Sequence, residues 1–205
     1  MCKKALLFIN GVPPKSIPDI YKYDVIVCTD GALHYLKELD FPIQNLDFVS
    51  GDFDSFTDEE MMSDGKFIHT PDQDFTDFHK ALQLLLDRGI AEVDVLGGSG
   101  GEQDHFLGNI SVAYHFKKLM KIIFYDEFSR YFFIPKNFSV EGVKGKMISL
   151  YPFPYAKNIV SKGVKWCLCG EDLDITKRLG TRNMATDDII SVSYEEGNLL
   201  IFIGC

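Results

Sequence analysis

The sequence predicts an α/β protein: a mainly parallel sheet covered by helices, followed by a small β-sandwich. Two observations predict it. Through roughly the first two-thirds of the chain, short apolar runs alternate with segments of helical spacing, the pattern of a parallel sheet. Beyond residues 126–136 the runs are all short and strand-like, with turn signals between them. We place the division at 1–130 and 131–205. The second part is small for an independent core, so it should pack on the first or on another subunit.

In order, Ala5–Ile9 and Asp24–Cys28 read as strands and Ala32–Leu39 as a short helix. Leu46–Val49 and Phe67–His69 follow as strands. Thr76–Arg88 is the clearest helix, because Phe78, Ala81, Leu82, Leu85 and Leu86 fall on one face. Asp74 or Thr76 caps its start and Gly89 stops it. Glu92–Leu96 reads as a buried strand, Asp104–Leu119 as a helix and Lys121–Tyr125 as a strand. In the β-rich part the strands are Tyr131–Ile134, Met147–Tyr151, Val164–Leu168, Ile189–Tyr194 and Leu199–Ile203. Pro135-Lys136-Asn137, Pro152-Phe153-Pro154, Gly170 and Glu196-Gly197-Asn198 mark the turns between them.

The 205 residues are 46% hydrophobic and 25% charged, as in ordinary globular proteins, with a net charge of −9. No basic stripe is present, which argues against nucleic-acid binding. The apolar runs are of strand length, too short to span a membrane. The run after Met1-Cys2-Lys3-Lys4 ends at Asn10-Gly11, too soon for a signal peptide. Cys2, Cys28, Cys167, Cys169 and Cys205 show no C-x-x-C spacing. Cys167 and Cys169 would share one side of a strand. Reduced, structural thiols of this kind fit the cytoplasm.

The chemistry gathers where strands end. In open α/β sheets ligands sit beyond the carboxyl ends of the strands. Thr29-Asp30-Gly31-Ala32, Gly51-Asp52-Phe53-Asp54-Ser55 and Gly97-Gly98-Ser99-Gly100-Gly101 each follow a predicted strand and so converge on one edge. Two carboxylates two apart suit Mg²⁺, although such a pair is also a common solvated turn. The glycine loop is neither a Walker A sequence nor a dinucleotide fingerprint. Its glycine pairs before a helix either admit a phosphate or make a tight turn. Asp77, in the first turn of its helix, either complements the helix dipole or adds a carboxylate to the metal. Asp104 has the same two readings. Thr76 is a cap or a phosphate contact, and His105 reads as a packed histidine.

The ordered set Asp30-Gly31-Ala32, Gly51-Asp52-Phe53-Asp54-Ser55, Asp72-Gln73-Asp74-Phe75-Thr76-Asp77-Phe78 and Gly97-Gly98-Ser99-Gly100-Gly101-Glu102-Gln103-Asp104-His105 resembles the thiamine pyrophosphokinase family. The resemblance continues through Gly163-Val164-Lys165-Trp166 and Gly180-Thr181-Arg182-Asn183. It implies transfer of pyrophosphate from ATP to the hydroxyl of thiamine, giving thiamine diphosphate and AMP. It implies a homodimer with sites shared between subunits. By resemblance Asp52, Asp54 and Asp77 hold Mg²⁺ and Asp104 lies close to the phosphates. Asp30, Gly97, Gly98, Gly100 and Gly101 belong to the nucleotide site, and Gln73, Thr76 and Asn183 to the substrate site. Trp166 is either a core side chain or an aromatic face for thiamine. Many relatives carry arginine where this chain has Glu102, so the phosphate-facing cation must come from elsewhere, with Lys80, Arg130 and Arg182 as candidates, or the metal carries more of the load. Two other functions use similar features: an aspartate phosphatase of the haloacid dehalogenase type, and a nucleotide- or thiamine-binding module without turnover.

Overall fold

The computed structural model describes residues 3–53 and 65–205. The chain divides into two compact units, Met1–Asp126 and Glu127–Cys205, four residues before the boundary drawn from the sequence pattern.

Among the described residues the first unit is a six-stranded parallel sheet with helices between its strands. The strands are β1 (Lys4–Phe8), β2 (Val25–Thr29), β3 (Phe48–Gly51), β4 (Phe67–His69), β5 (Glu92–Leu96) and β6 (Lys121–Tyr125). Their order is β4-β3-β2-β1-β5-β6, and every pairing within it is parallel. β1 and β5 are buried on both faces after their first residue, as expected for strands covered by helices on each side. Among the described residues three helices follow strands: α1 (Asp30–Glu38), α2 (Asp77–Asp87) and α3 (Gln103–Phe116). α2 buries Phe78, Ala81, Leu82 and Leu85 along one stripe. α1 buries Ala32, Leu33, Tyr35 and Leu36 against Leu6, Phe8, Ile26 and Cys28 of the sheet. The strand order runs outward from β1 to β4, then returns to place β5 on the other side of β1. The topological switch point therefore lies between β1 and β5, where such sheets open a crevice at their carboxyl ends.

The second unit contains β7 (Ser129–Ile134), β8 (Asn137–Val140), β9 (Met147–Lys162), β10 (Cys169–Asp174), β11 (Gly180–Met184), β12 (Ile190–Ser193) and β13 (Glu196–Gly204). All its pairings are antiparallel, and β9 is the spine. One edge of β9 takes β13 and then β12; the other takes β11 and then β10.

Three departures from the sequence expectation fall in this unit. The strand expected at Met147–Tyr151 runs on to Lys162, straight through Pro152-Phe153-Pro154. Proline cannot donate to a ladder, and the β9–β13 register breaks where these prolines lie, between the Leu199 and Gly197 pairings. Val164–Leu168 is not a strand: Val164 makes one bridge to Ala185, and the strand starts at Cys169. Leu168 is tied to β9 through Ser161, whose backbone N–H donates to Leu168 O and whose hydroxyl accepts from Leu168 N. Cys167 therefore precedes the strand, and both Cys167 and Cys169 are exposed free thiols. β8, β10 and β11 fall in stretches the sequence pattern assigned to no strand, because segments such as Gly-Thr-Arg-Asn-Met carry little apolar alternation.

Candidate active site

The crevice at the switch point is a cleft of about 430 Å³, lined by the loops after β1, β2, β3 and β5, the segment leading into α2 and the first turns of α3. That volume is ordinary for a small-molecule site. The loops after β1 and β5 are joined by hydrogen bonds from Ile9 N to Leu96 O (2.9 Å) and from Val12 N to Ser99 O (3.0 Å). Gly97 has φ +76°, and a Cβ there would lie 2.1 Å from Ile9 O. Only glycine fits, so this first glycine serves the junction, while Gly98 and Gly100 line the cleft. Gly101 also has positive φ and accepts from Gln103 Nε2 at the entry to α3.

Asp30 opens α1 and braces two loops. Its Oδ1 accepts from Gly31 N (2.7 Å) and its Oδ2 from Phe53 N (3.1 Å). Gly51 makes room for it: a Cβ at Gly51 would lie 2.2 Å from Asp30 Cγ. Burial raises the Asp30 carboxyl above its usual range, the two N–H groups oppose this, and the charges of Asp77 and Asp52 add to it. Phe53 has φ +55° and is 5% exposed, its ring packing edge-on against Phe67. Such a conformation costs on the order of 1–3 kcal/mol in a bulky residue. The anchored ring and the hydrogen bond to Asp30 hold it there, while Asp52 lines the cleft and accepts from Gln73 Nε2 (3.0 Å). Asp54 and Ser55 lie outside the described residues.

Asp77 is the first residue of α2, and its Oδ1 is 2.8 Å from Lys80 Nζ. Thr76 is the cap of α2: its Oγ1 accepts from His79 N (3.2 Å), and the residue also lines the cleft. Asp104 lines the cleft in the first turn of α3 and accepts from His105 N (3.0 Å). His105 is exposed and 3.6 Å from Glu102, not packed as the sequence suggested. Asn10, Gly11 and Asn109 also line the cleft, and Asn109 Nδ2 donates to Gly98 O (3.1 Å). Asn10 and Gly11 were legible, because they follow the first strand as Asp30 follows the second.

Among the described residues no three His, Cys, Asp or Glu side chains converge closely enough to hold a metal by themselves. The donor set nonetheless fits Mg²⁺. It consists of carboxylates, hard oxygen ligands, and Mg²⁺ takes one or two of these with water and phosphate oxygens. Asp52 and Asp77 already disfavour a third negative charge at Asp30, and a divalent cation relieves that repulsion.

In the β unit Trp166 is 58% exposed, which removes the core reading. Asn183 brackets it: Oδ1 accepts from Trp166 N (3.1 Å) and Nδ2 donates to Trp166 O (2.8 Å).

The thiamin pyrophosphokinase catalytic-domain model matches residues 20–124, and the thiamin pyrophosphokinase vitamin B1 binding-domain model matches residues 134–199. The chain belongs to the thiamin pyrophosphokinase family. Thiamin pyrophosphokinase 1 of Caenorhabditis elegans is 26% identical over 219 residues, covering 98% of this chain and 88% of that one. The Bacillus subtilis thiamine pyrophosphokinase is 29% identical over 163 residues, 73% of this chain and 74% of the relative. A crystal structure of the Bacillus subtilis enzyme superposes with a TM-score of 0.81 at 25% identity, covering 98% of both chains. The thiamin pyrophosphokinase of Candida albicans, at 18% identity, shares the fold with a TM-score of 0.85 over 99% of this chain and 89% of its own. Both units of this chain thus have their counterpart in the family, whose members are ATP:thiamine diphosphotransferases. A phosphatase of the haloacid dehalogenase type needs a nucleophilic aspartate after its first strand; here β1 is followed by Ile9-Asn10-Gly11.

Proposed function

We propose that the cleft of the α/β unit carries out transfer of pyrophosphate from ATP to the hydroxyl of thiamine, giving thiamine diphosphate and AMP. The observation that carries this reading is the convergence of Asp30, Asp52, Asp77 and Asp104 with Gly98 and Gly100 in one cleft at the switch point. Gly98 and Gly100, before the N-terminus of α3, offer backbone approach to the phosphates. Asp52, Asp54 and Asp77 hold Mg²⁺, and Asp104 lies by the phosphate chain. Bound there, Mg²⁺ supplies positive charge to the polyphosphate. Gln73, Trp166 and Asn183 are the thiamine contacts that the family resemblance assigns. The thiamine oxygen bonds to the β-phosphorus as the bond between that phosphorus and the α–β bridging oxygen breaks, so AMP departs and the hydroxyl proton passes to water. Holding the two in line is the main task of the protein groups.

We further propose a homodimer, to be checked by light scattering, and a cytoplasmic location, in keeping with the free thiols of Cys28, Cys167, Cys169 and Cys205. Among the described residues no helix is long and apolar enough to cross a membrane. The deciding experiment follows ATP, thiamine and Mg²⁺ by phosphorus NMR. AMP and thiamine diphosphate should form one to one; ADP with thiamine monophosphate would refute the reaction. Asp52→Asn and Asp54→Asn should each slow turnover by the equivalent of several kcal/mol. Near-normal kcat in both at saturating Mg²⁺ would remove the metal role.

A further inference from the structure

Lys80 lies one turn into α2, and its side chain is 10% exposed. Its ammonium is 2.8 Å from Thr70 O, 3.1 Å from Asp72 O and 2.8 Å from Asp77 Oδ1. A lysine ammonium has three N–H donors and no acceptor. Two backbone carbonyls accept hydrogen bonds from it and the Asp77 contact is an ion pair, so the charge faces the protein's own backbone and carboxylate. Lys80 is therefore not the phosphate-facing cation that Glu102 fails to provide.

The three oxygens belong to segments that must keep register. Thr70 N donates to Gly51 O (2.8 Å), which ties the end of β4 to the end of β3 just before Asp52. The stretch from Asp72 to Thr76 carries Gln73, whose amide donates to Asp52 Oδ2. Asp77 follows at the start of α2. Its Oδ1, toward Lys80, is shut from solvent although the side chain as a whole is 38% exposed. One ammonium thus fixes the path of the 70–76 segment and the rotation of the Asp77 carboxylate, and leaves the rest of that carboxylate open.

We propose that Lys80 is a positioning residue for pyrophosphate transfer: it clamps the 70–76 segment and turns Asp77 into the cleft without touching substrate. The inference rests on the functional reading above. It requires the compact, three-way geometry of an ammonium, which a planar guanidinium does not reproduce.

The test compares Lys80→Met, Lys80→Gln and Lys80→Arg with the wild-type chain by amide hydrogen exchange and by steady-state kinetics. Exchange at residues 72–76 should speed up by about tenfold in Lys80→Met while the sheet keeps its protection. kcat should fall by about 100-fold, as expected when reacting groups are misplaced by an ångström. The KM for ATP should stay within about threefold, since no direct binding contact is lost. Lys80→Arg should not restore kcat. If Lys80→Met does not fold, Lys80→Gln, which keeps N–H donors without charge, is read by the same criteria. A raised KM for ATP with kcat retained, rescue by arginine, or unchanged exchange at 72–76 would each overturn the proposal. Faster exchange with normal kcat would overturn it too, since the clamp would then serve only the loop. A wild-type chain that makes no thiamine diphosphate would overturn the functional reading and this role with it, while the exchange data would still report the clamp by itself.

Discussion

Gly51→Ala tests how the acidic site is assembled. The new Cβ would lie 2.2 Å from Asp30 Cγ and Oδ2 and 2.7 Å from Asp30 Cβ. The backbone at Gly51 lies outside the left-handed region, so alanine is tolerated conformationally and the cost comes from evicting Asp30. Eviction breaks the bonds from Gly31 N and Phe53 N. Hydrogen bonds to a charged group contribute about 1.5–3 kcal/mol each. Two opposing gains reduce the sum: the displaced carboxylate recovers water, and it leaves the repulsion of Asp52 and Asp77. A net loss of about 2–4 kcal/mol follows. In an Asp30→Gly background the three nearest obstacles to the new Cβ are two side-chain carbons and an oxygen that no longer exist, so the same Gly51→Ala change should cost less than about 1 kcal/mol. The coupling in a double-mutant cycle should then reach about 2–3 kcal/mol, well beyond ordinary additivity error. Urea denaturation of the four proteins measures it. Additive costs, or a harmless Gly51→Ala in the wild-type background, would refute the idea that this glycine exists to seat Asp30.

Thr76→Ala should cost about 0.5–2 kcal/mol of stability through loss of the α2 cap, and Thr76→Ser should recover most of it; a kcat loss in Thr76→Ala that serine also repairs would add a phosphate contact to the capping role. Burial, then the neighbouring His115, hold the His79 imidazole below its ordinary 6.5. On acidification the unfolded chain takes up this proton first, so the stability His79 contributes is present above about pH 6.5 and is lost as pH falls through the lower folded value. His79→Gln should therefore flatten the fall of Tm below about pH 6.5, and an unchanged slope would remove His79 as its source. Trp166 is the chain's only tryptophan, so its emission reports its surroundings directly. Thiamine should quench it, and Asn183→Ala, which breaks the bracket on both sides of Trp166, should weaken that quenching; quenching of equal strength in the variant would separate Asn183 from thiamine binding.

Much of the α/β unit was legible because its signals are local. Glu92–Leu96 and Lys121–Tyr125 are bounded on both sides by breaks in hydrophobicity, and the structure keeps those bounds. The loops after β2, β3 and β5 were placed on one edge by a topological rule that needs only strand order. What escaped depends on contacts distant in sequence. β11 has little apolar alternation, and its partners in β9, such as Leu150 for Gly180 and Met147 for Met184, are far back in the chain. The prolines of β9 read as a turn because no local signal says that the ladder breaks there. Lys80 looked like an available cation because two of its three oxygen partners are backbone carbonyls, which side-chain identity does not reveal. The bracing role of Asp30 escaped because the amide it accepts from, Phe53 N, is 23 residues on.

Lys80 and Asp30 change how the acidity of the cleft is understood. The chain carries net charge −9, and Asp30, Asp52, Asp77 and Asp104 share one cleft. One lysine lines that cleft, and its ammonium is turned toward backbone carbonyls and Asp77. The carboxylates are held by the fold itself: Asp30 by two backbone amides, Asp52 by Gln73 and Asp77 by Lys80. Such fixed negative charge repels a bare polyphosphate, and burial makes each added charge costlier. The arrangement suits a polyphosphate that arrives with its own divalent cation. On the proposed reading the carboxylates would bind the cation and the glycine loop would receive the phosphate oxygens, so charge repulsion would discriminate against nucleotide without metal before any chemistry begins.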